Sequence, residues 1–245
     1  MTTLSPIEKK RFQYVQMYIK SRIKLIRQYL RIKPTSLGEA DIEMLAVQFR
    51  KTIEQVSLSS MILHVEEYSK VRADFENDWN ARLIMQDLKR LNPEYFPKPV
   101  RVTLLGNSYE DGIYFEPIST DDYLSEKDFT NVYQKCGKFL HAVNPFSRSA
   151  INHRQMRVLM GDWETKLSNL LEDYIVEFMG TDIIAYSKLN LASDKIPELI
   201  ILEPKDKTKI KKAHSRAYLR VLIAVQSASL IKQLQAQSWE PRKCQ

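Results

Sequence analysis

The stretch KKRFQYVQMYIKSRIKLIRQYLRIK, residues 9–33, carries an apolar side chain at every third or fourth position. These positions are Phe12, Val15, Ile19, Ile23, Ile26 and Leu30. The spacing follows the helical repeat of about 3.6 residues, so these side chains share one face of a long helix. A helix with one apolar face needs another element to cover it. The stretch therefore predicts a protein built on packed helices.

The same stretch holds nine basic residues and no acidic one. A second set of helically spaced positions, here named the basic stripe, consists of Lys20, Lys24, Arg27 and Arg31. Two interpretations fit a face of one charge sign: a solvated helix surface, or a surface that binds the phosphates of a nucleic acid.

Further helices follow in the chain. The residues from Pro34 to Gly38 break the first helix, and a second apolar stripe predicts an antiparallel partner for it. That stripe is Ile42, Leu45, Phe49, Ile53 and Val56. A third helix is predicted from Asp78 to Leu91, with Trp79, Leu83, Ile84, Leu88 and Leu91 facing inward. Two more helices are predicted, one from Ser125 to about His141 and one from about Ser147 to Tyr174.

Short apolar runs predict strands. Val100–Leu105 and Gly112–Pro117 read as a hairpin, and the runs 174–179, 183–186 and 198–202 read as an antiparallel meander. A last helix is predicted from Ala213 to about Gln235. The fold class is therefore α+β and mainly α: a helical bundle with a small antiparallel sheet and a C-terminal helix. We expect a bundle over residues 1–175, with the hairpin inserted near 100–118, and a small unit over residues 176–245 packed on it.

Charge is distributed unevenly along the 245 residues. Residues 1–100 carry 17 Lys and Arg against 12 Asp and Glu, residues 101–204 carry 10 against 16, and residues 205–245 carry 10 against 2. Basic ends around an acidic middle are typical of a protein that docks on a polyanion, although the segments can also neutralise each other within one fold. Neither a signal peptide nor a membrane-length apolar run is present, and Cys136 and Cys244 do not lie at zinc-finger spacing. We expect a cytoplasmic protein that does not bind membranes and needs neither metal nor cofactor.

The segment YQKCGKFLHAVNPFSRSAINH, residues 133–153, holds the candidate catalytic groups. Lys138 lies three residues before His141, and Arg148 lies five residues before His153. A histidine can transfer the proton of an RNA 2′-hydroxyl while a neighbouring cation stabilises the phosphate. DNA lacks that hydroxyl. These four residues therefore suggest metal-independent RNA cleavage.

An arginine, four residues and a histidine, here RSAINH, resembles the motif of the HEPN superfamily. The stretch YQKCGKFLHAVNPF also resembles a motif of uncharacterised bacterial HEPN-like proteins, with His141 in the histidine position. Ser149 stands where the family often has Asn, Asp or His, and Lys135 stands where an arginine is usual. The resemblance implies a helical ribonuclease of the toxin or phage-defence type that forms dimers across a shared cleft.

Together these features predict a nucleic-acid-binding protein, with RNA favoured over DNA, that acts as a homodimer or with a protein partner. The candidate nucleic-acid-binding residues are the basic stripe and three lysines of the C-terminal segment, Lys209, Lys211 and Lys212.

Three alternatives stay open. Both histidines could have packing or capping roles, and the chain could be a non-catalytic interaction subunit that docks through its basic ends. Glu203-Pro204-Lys205, with Asp182 or Asp194, resembles half of a PD-(D/E)xK nuclease signature, which would bind Mg²⁺.

Overall fold

The structure is a computed structural model that describes residues 4–32, 38–107, 112–141, 146 and 153–204. It also describes the backbone, without side chains, of residues 219–221 and 223–225; the side chains of residues 203 and 204 likewise lie outside the description.

Six α-helices are described: α1 (Pro6–Arg31), α2 (Glu39–Leu63), α3 (Val65–Val71), α4 (Ala81–Leu91), α5 (Glu126–Phe139) and α6 (His153–Leu171). A single 3₁₀ turn, Phe75–Asn77, precedes α4. Serine residues begin two of the helices. The Ser5 hydroxyl accepts the Glu8 N–H at 3.2 Å, and Ser125 caps α5 in the same way through Asp128. These capping boxes explain why both helices begin where they do.

Helices α1 and α2 are antiparallel and form the centre of the core. Leu4 and Glu8, at the start of α1, line the same cleft as Leu63 at the end of α2. Near the middle, the Arg22 guanidinium donates to the side-chain oxygens of Gln48 at 2.6 Å and Gln55 at 3.1 Å. The two predicted apolar stripes face each other here, because all their members are buried except the half-buried Val15 and Leu30. The predicted antiparallel pair is confirmed.

The strands are β1 (Lys98–Leu104), β2 (Ile113–Pro117), β3 (Asp173–Glu177), β4 (Ile184–Lys188), β5 (Glu198–Pro204), β6 (Leu219–Val221) and β7 (Ile223–Val225). They form one sheet in the order β6-β2-β1-β3-β4-β5-β7, and each described pairing is antiparallel. The α+β, mainly helical class and the antiparallel meander are therefore confirmed. The hairpin belongs to the same sheet as the meander, and the boundary expected near residue 175 falls inside β3.

The two outermost strands are neighbours in sequence. Only Leu222 separates β6, which pairs with β2, from β7, which pairs with β5. β6 and β7 thus extend the two edges of the sheet, at 113–115 of β2 and 202–204 of β5, and because they are neighbours in sequence they bring those edges together as a ring. This arrangement shortens the exposed strand edges. This observation corrects the prediction of a helix from Ala213 to about Gln235, because residues 219–221 and 223–225 are strands. The apolar residues Val221, Ile223 and Val225 fit a helical pattern and a strand pattern alike. Hydrogen bonding to β2 and β5 selects the strand.

The sheet is apolar on both faces. Alternate residues such as Tyr174, Val176 and Ala185 join the core beneath the helices. The residues between them form a second buried cluster, composed of Val100, Ile113, Phe115, Ile175, Ile184, Tyr186, Ile200 and Leu202. A ring of strands with one apolar face turned inward accounts for this second cluster.

A buried histidine, His64, connects α2, α4 and β3. The His64 ring accepts a hydrogen bond at Nε2 from Asn92 Nδ2 at 2.8 Å and donates from Nδ1 to the Ser60 carbonyl at 2.9 Å. Asn92 also donates to the carbonyl of Glu177, at 2.7 Å. Burial lowers the pKa of His64, although the Ser60 carbonyl and Glu67 oppose this. The neutral ring therefore fastens α2 to α4 and β3.

Two positions of the predicted third helix differ from the sequence prediction. Ile84 and Leu88 are buried as expected, but Trp79 is 64% exposed and Leu83 is 38% exposed. The helix begins only after Asn80, whose side chain accepts the Arg82 N–H, so Trp79 precedes the first turn. None of the described helices is long and apolar enough to cross a bilayer.

Candidate nucleic-acid interface

Helix α5 packs against α2 through an aromatic residue and a glycine. The Arg50 guanidinium lies 4.4 Å from the ring centre of Tyr133 and donates to its hydroxyl at 2.9 Å. Arg50 also binds Glu54, which accepts the Tyr133 hydroxyl at 3.2 Å. A Cβ at Gly137 would lie 2.7 Å from Arg50 Nη1, so only glycine leaves room for this guanidinium. Tyr133 and Gly137 thus have packing roles in the 133–153 segment.

Cys136 faces the same interface and is fully buried. Burial raises the pKa of its thiol to about 12, despite the opposing charge of Arg50. A thiol in this state is not a nucleophile at neutral pH.

The opposite side of α5 carries the exposed cations. Lys135 Nζ lies 5.9 Å from the ring centre of Trp163 on α6. Lys138 is exposed in the last turn, and the exposed His141 follows the C-cap, with its N–H donating to the Lys138 carbonyl at 3.4 Å. Lys138 and His141 are thus neighbours at the C-terminal end of α5, as their spacing predicts.

Both histidines lie toward the N-terminal end of α2. Helix α5 runs antiparallel to α2, since Tyr133 contacts Glu54 and Gly137 lies at Arg50. His141 therefore lies near the level of residue 46 of α2. On α6, His153 Nε2 lies 3.5 Å from Glu39 Oε1 at the start of α2. Seven residues of helix separate the two levels, which is about 10 Å along the axis.

Several cations lie at the same end of the bundle as these histidines. We define the bundle-end cluster as Arg31, Lys138, His141, His153 and Arg154. Its three cations are exposed and have no ion-pair partner among the residues that the structure describes. The neighbouring Arg157 differs, because its Nη2 donates to the carbonyls of Leu30 (at 2.7 Å) and Ile32 at the end of α1. Arg157 thus joins the end of α1, which carries Arg31, to the first turns of α6, which carry Arg154.

Four predicted site residues, Arg148, Lys209, Lys211 and Lys212, lie outside the described residues. Of the four candidate catalytic residues, the structure therefore places Lys138, His141 and His153, and it brings these three to the same end of the bundle.

Three of the four basic-stripe side chains bind groups elsewhere in the chain. Lys24 Nζ lies 3.1 Å from Asp194, and Arg27 Nε lies 2.6 Å from Glu164 on α6. Lys20 is only 7% exposed and donates to the Lys195 carbonyl at 2.6 Å. These side chains fasten the β4–β5 loop and α6 to α1.

The groups around Lys20 hold this part of the fold together. Burial lowers its pKa, and Lys24 lowers it further, while Asp194 and Glu172 oppose the shift. Gln13 adds a hydrogen bond to the Pro197 carbonyl at 3.0 Å. Of the stripe, only Arg31 is exposed without an ion-pair partner in the described part of the chain. Sequence spacing could not reveal this, because the loop that covers Lys20 and Lys24 lies about 170 residues further along the chain.

The acidic residues proposed for a Mg²⁺ site do not all lie together. Asp194 is paired with Lys24 on α1, whereas Glu203 lies at the far end of β5. Asp182 does lie toward that end, since Ile184 pairs with Leu202. Within the described ranges, no group of three or more His, Cys, Asp or Glu side chains is placed to hold a metal ion.

Sequence reasoning missed Arg50, Glu54 and Arg157, which position α5 and α6. A weak signal existed for Arg50, since it lies four residues before Glu54 on a predicted helix. Comparison of the chain with protein-family models, with curated proteins and with solved structures found no match.

Proposed function

We propose that this chain binds single-stranded RNA at the bundle-end cluster and cleaves it without a metal ion. The proposal is supported by the position of His141 and His153 toward one end of the bundle, where exposed cations also lie. Two histidines that differ by about 10 Å along the helix axis leave room for a phosphate group between their side chains. The resemblance of RSAINH to the HEPN motif adds support from the sequence.

The chemistry uses the two histidines as base and acid. One neutral imidazole takes the proton of the 2′-hydroxyl, and the hydroxyl oxygen attacks the neighbouring phosphorus. The bond from phosphorus to the 5′ oxygen breaks, and the other, protonated imidazole donates a proton to that oxygen. Lys138 and Arg154 stabilise the charge that develops on the phosphoryl oxygens. The products are a 2′,3′-cyclic phosphate and a free 5′-hydroxyl.

The test of catalysis is cleavage of a labelled single-stranded RNA in EDTA, with DNA of the same sequence as a substrate control. Removing a proton-transfer group typically lowers the rate by about 10² to 10⁴, so His141→Ala and His153→Ala should each show losses of that order. Lys138→Ala should weaken cleavage, whereas Lys127→Ala should not, because Lys127 is an exposed lysine at the other end of α5. Cleavage that requires Mg²⁺ contradicts the proposal.

The test of binding is the salt dependence of affinity. Three cations that contact phosphates of a single strand predict a slope of about −2 in log K against log salt concentration. Arg154→Met should make that slope shallower without changing stability. Arg157→Met should instead lower stability, because two carbonyls at the end of α1 lose their donor. RNA affinity unchanged by Arg31→Met, Lys138→Met and Arg154→Met together contradicts binding at this cluster.

A second candidate function is a non-catalytic interaction subunit. It is favoured by large apolar side chains exposed near the bundle-end cluster, namely Ile32, Leu140 and Val158, the last of which is 72% exposed. It is also favoured by the engagement of Lys20, Lys24 and Arg27 within the chain. A folded sample that neither binds nor cleaves RNA, and that is recovered from cells with a protein partner, would favour this candidate.

A further inference from the structure

An exposed tryptophan lies beside the start of α4. Trp79 is 64% exposed, Leu83 in the first turn of α4 is 38% exposed, and Val71 at the end of α3 is 61% exposed. We name these three residues the tryptophan patch. Exposed large apolar side chains that lie together mark interaction surfaces, and tryptophan is among the residues most enriched in the energetically dominant positions of interfaces.

Ion pairs hold the patch in place. Arg72 Nε lies 2.9 Å from Asp78 Oδ2, and Arg72 Nη1 lies 2.9 Å from Asp87 Oδ2 on α4. The Tyr68 hydroxyl also donates to Asp78, at 3.1 Å. Val71 directly precedes Arg72 and Trp79 directly follows Asp78, so this network keeps both exposed residues on one part of the surface. The network gives a partner a preorganised surface.

The patch has an acidic flank and a basic flank. Asp74 and Glu76, both exposed, lie in the connection between Val71 and Trp79. Arg82, also exposed, lies in the first turn of α4 beyond Trp79 and supplies the basic flank. The exposed Arg90 lies further along α4 and pairs with Asp87 at 3.4 Å. A polyanion would be repelled by the acidic flank. A second copy of the chain, turned by a half rotation, would bring each acidic flank opposite the partner's basic flank.

We propose that two copies of this chain associate around a two-fold axis through the tryptophan patch. Trp79 and Leu83 supply the apolar centre of this interface, and Asp74 and Glu76 of each copy face Arg82 of the other. The patch lies beside α3, which follows the C-terminal end of α2, whereas the bundle-end cluster surrounds its N-terminal end. The interface therefore involves a surface separate from the proposed RNA site.

The first test measures the mass of the full-length protein by light scattering and sedimentation over a range of concentrations. Trp79→Glu and Leu83→Glu should each weaken association at least about tenfold, because a charge would enter the apolar centre. Met179→Glu is the matched control, since Met179 is 66% exposed in the turn between β3 and β4. A chain that stays monomeric to about 100 µM overturns the proposal. So does a dimer that Trp79→Glu and Leu83→Glu leave intact.

The second test exchanges charges between the flanks. Arg82→Glu places an acidic residue opposite Asp74 and Glu76 of the other copy, and the double variant Asp74→Arg with Glu76→Arg places two arginines opposite Arg82, so each variant alone should be monomeric. An equimolar mixture should form mixed dimers, because the opposite charges then face each other. Failure of the mixture to associate, when the wild-type chain dimerises, overturns the two-fold arrangement.

The assay is independent of RNA, so it separates failure of this proposal from failure of the proposed function. If Trp79→Glu abolishes RNA binding of a monomeric wild type, the patch is an RNA surface and the proposal is wrong.

Discussion

At the scale of single residues, His64 illustrates how a buried side chain is held in one protonation state. Its Nδ1 donates to a carbonyl and its Nε2 accepts from the Asn92 amide, so both ring nitrogens are satisfied only in the neutral ring. A proton on Nε2 would face the amide donor and would be buried without an acceptor. The hydrogen bonds and the lowered pKa thus agree.

The lowered pKa of His64 predicts a pH dependence of stability. Because the folded pKa lies below the unfolded value of about 6.5, the unfolded chain binds more protons in this range. The free energy of unfolding should therefore be greatest above about pH 6.5 and should fall as pH decreases, by at most about 1.4 kcal/mol per pH unit. Urea unfolding between pH 7.5 and pH 5.5 measures this slope.

The control for this pH effect is His64→Gln, which retains the three other histidines. It should be less stable at neutral pH, since one hydrogen bond or both are lost. Its stability should also depend less steeply on pH than that of the wild type. Equal slopes in the two proteins would show that His64 does not titrate differently in the folded and unfolded states.

At the scale of elements, the packing of α5 on α2 depends on the absence of a side chain at Gly137. Arg50 occupies the space where a Cβ would lie, and it binds Tyr133 and Glu54 from that position. The guanidinium is at the end of a flexible side chain and could move. It would then lose its stacking on Tyr133 and at least one hydrogen bond.

Two glycine substitutions test this packing. Gly161→Ala on α6 should gain up to about 1 kcal/mol, because nothing lies within 4 Å of the added Cβ and alanine favours a helix. Gly137→Ala receives a similar gain from propensity but loses about 1–2 kcal/mol from the contacts of Arg50. We expect it to be at least about 1 kcal/mol less stable than Gly161→Ala. Urea midpoints at a common slope measure the difference, and equal midpoints would contradict the packing argument.

At the scale of the whole molecule, strands β6 and β7 complete the sheet. They pair with β2 on one side and β5 on the other, and the apolar cluster from Val100 to Leu202 lies on the face that the ring encloses. Without them, two strand edges and this cluster would meet solvent, a combination that favours aggregation.

Truncation tests the closure of the sheet. A chain ended after residue 218 should bind a hydrophobic dye and aggregate, whereas a chain ended after residue 225 retains β6 and β7 and should unfold cooperatively as a monomer or dimer. Dye binding, light scattering and thermal unfolding compare the two proteins directly. Equal stability of the two would show that the closing strands contribute little.

The sequence by itself determined five of the six described helices, all but α3, and the strands β1 to β5, because their periods are local properties of the chain. The stripes from Phe12 to Leu30 and from Ile42 to Val56 could be placed on one face each without knowing what they contact. Capping residues such as Ser5 and Ser125 located two helix starts in the same local way. Lys138 and His141 were recognised as neighbours because one helix turn separates them.

Only the tertiary structure decided which side chains remain available to a ligand. Lys20 and Lys24 look like surface cations in the sequence, yet a loop about 170 residues away binds them, while Trp79 looks like a core residue and is exposed. The position of His141 and His153 toward the same end of α2, and the pairing of β6 and β7 with the two sheet edges, likewise depend on the register between distant elements. Register results from packing among all the elements at once, and no local pattern encodes it.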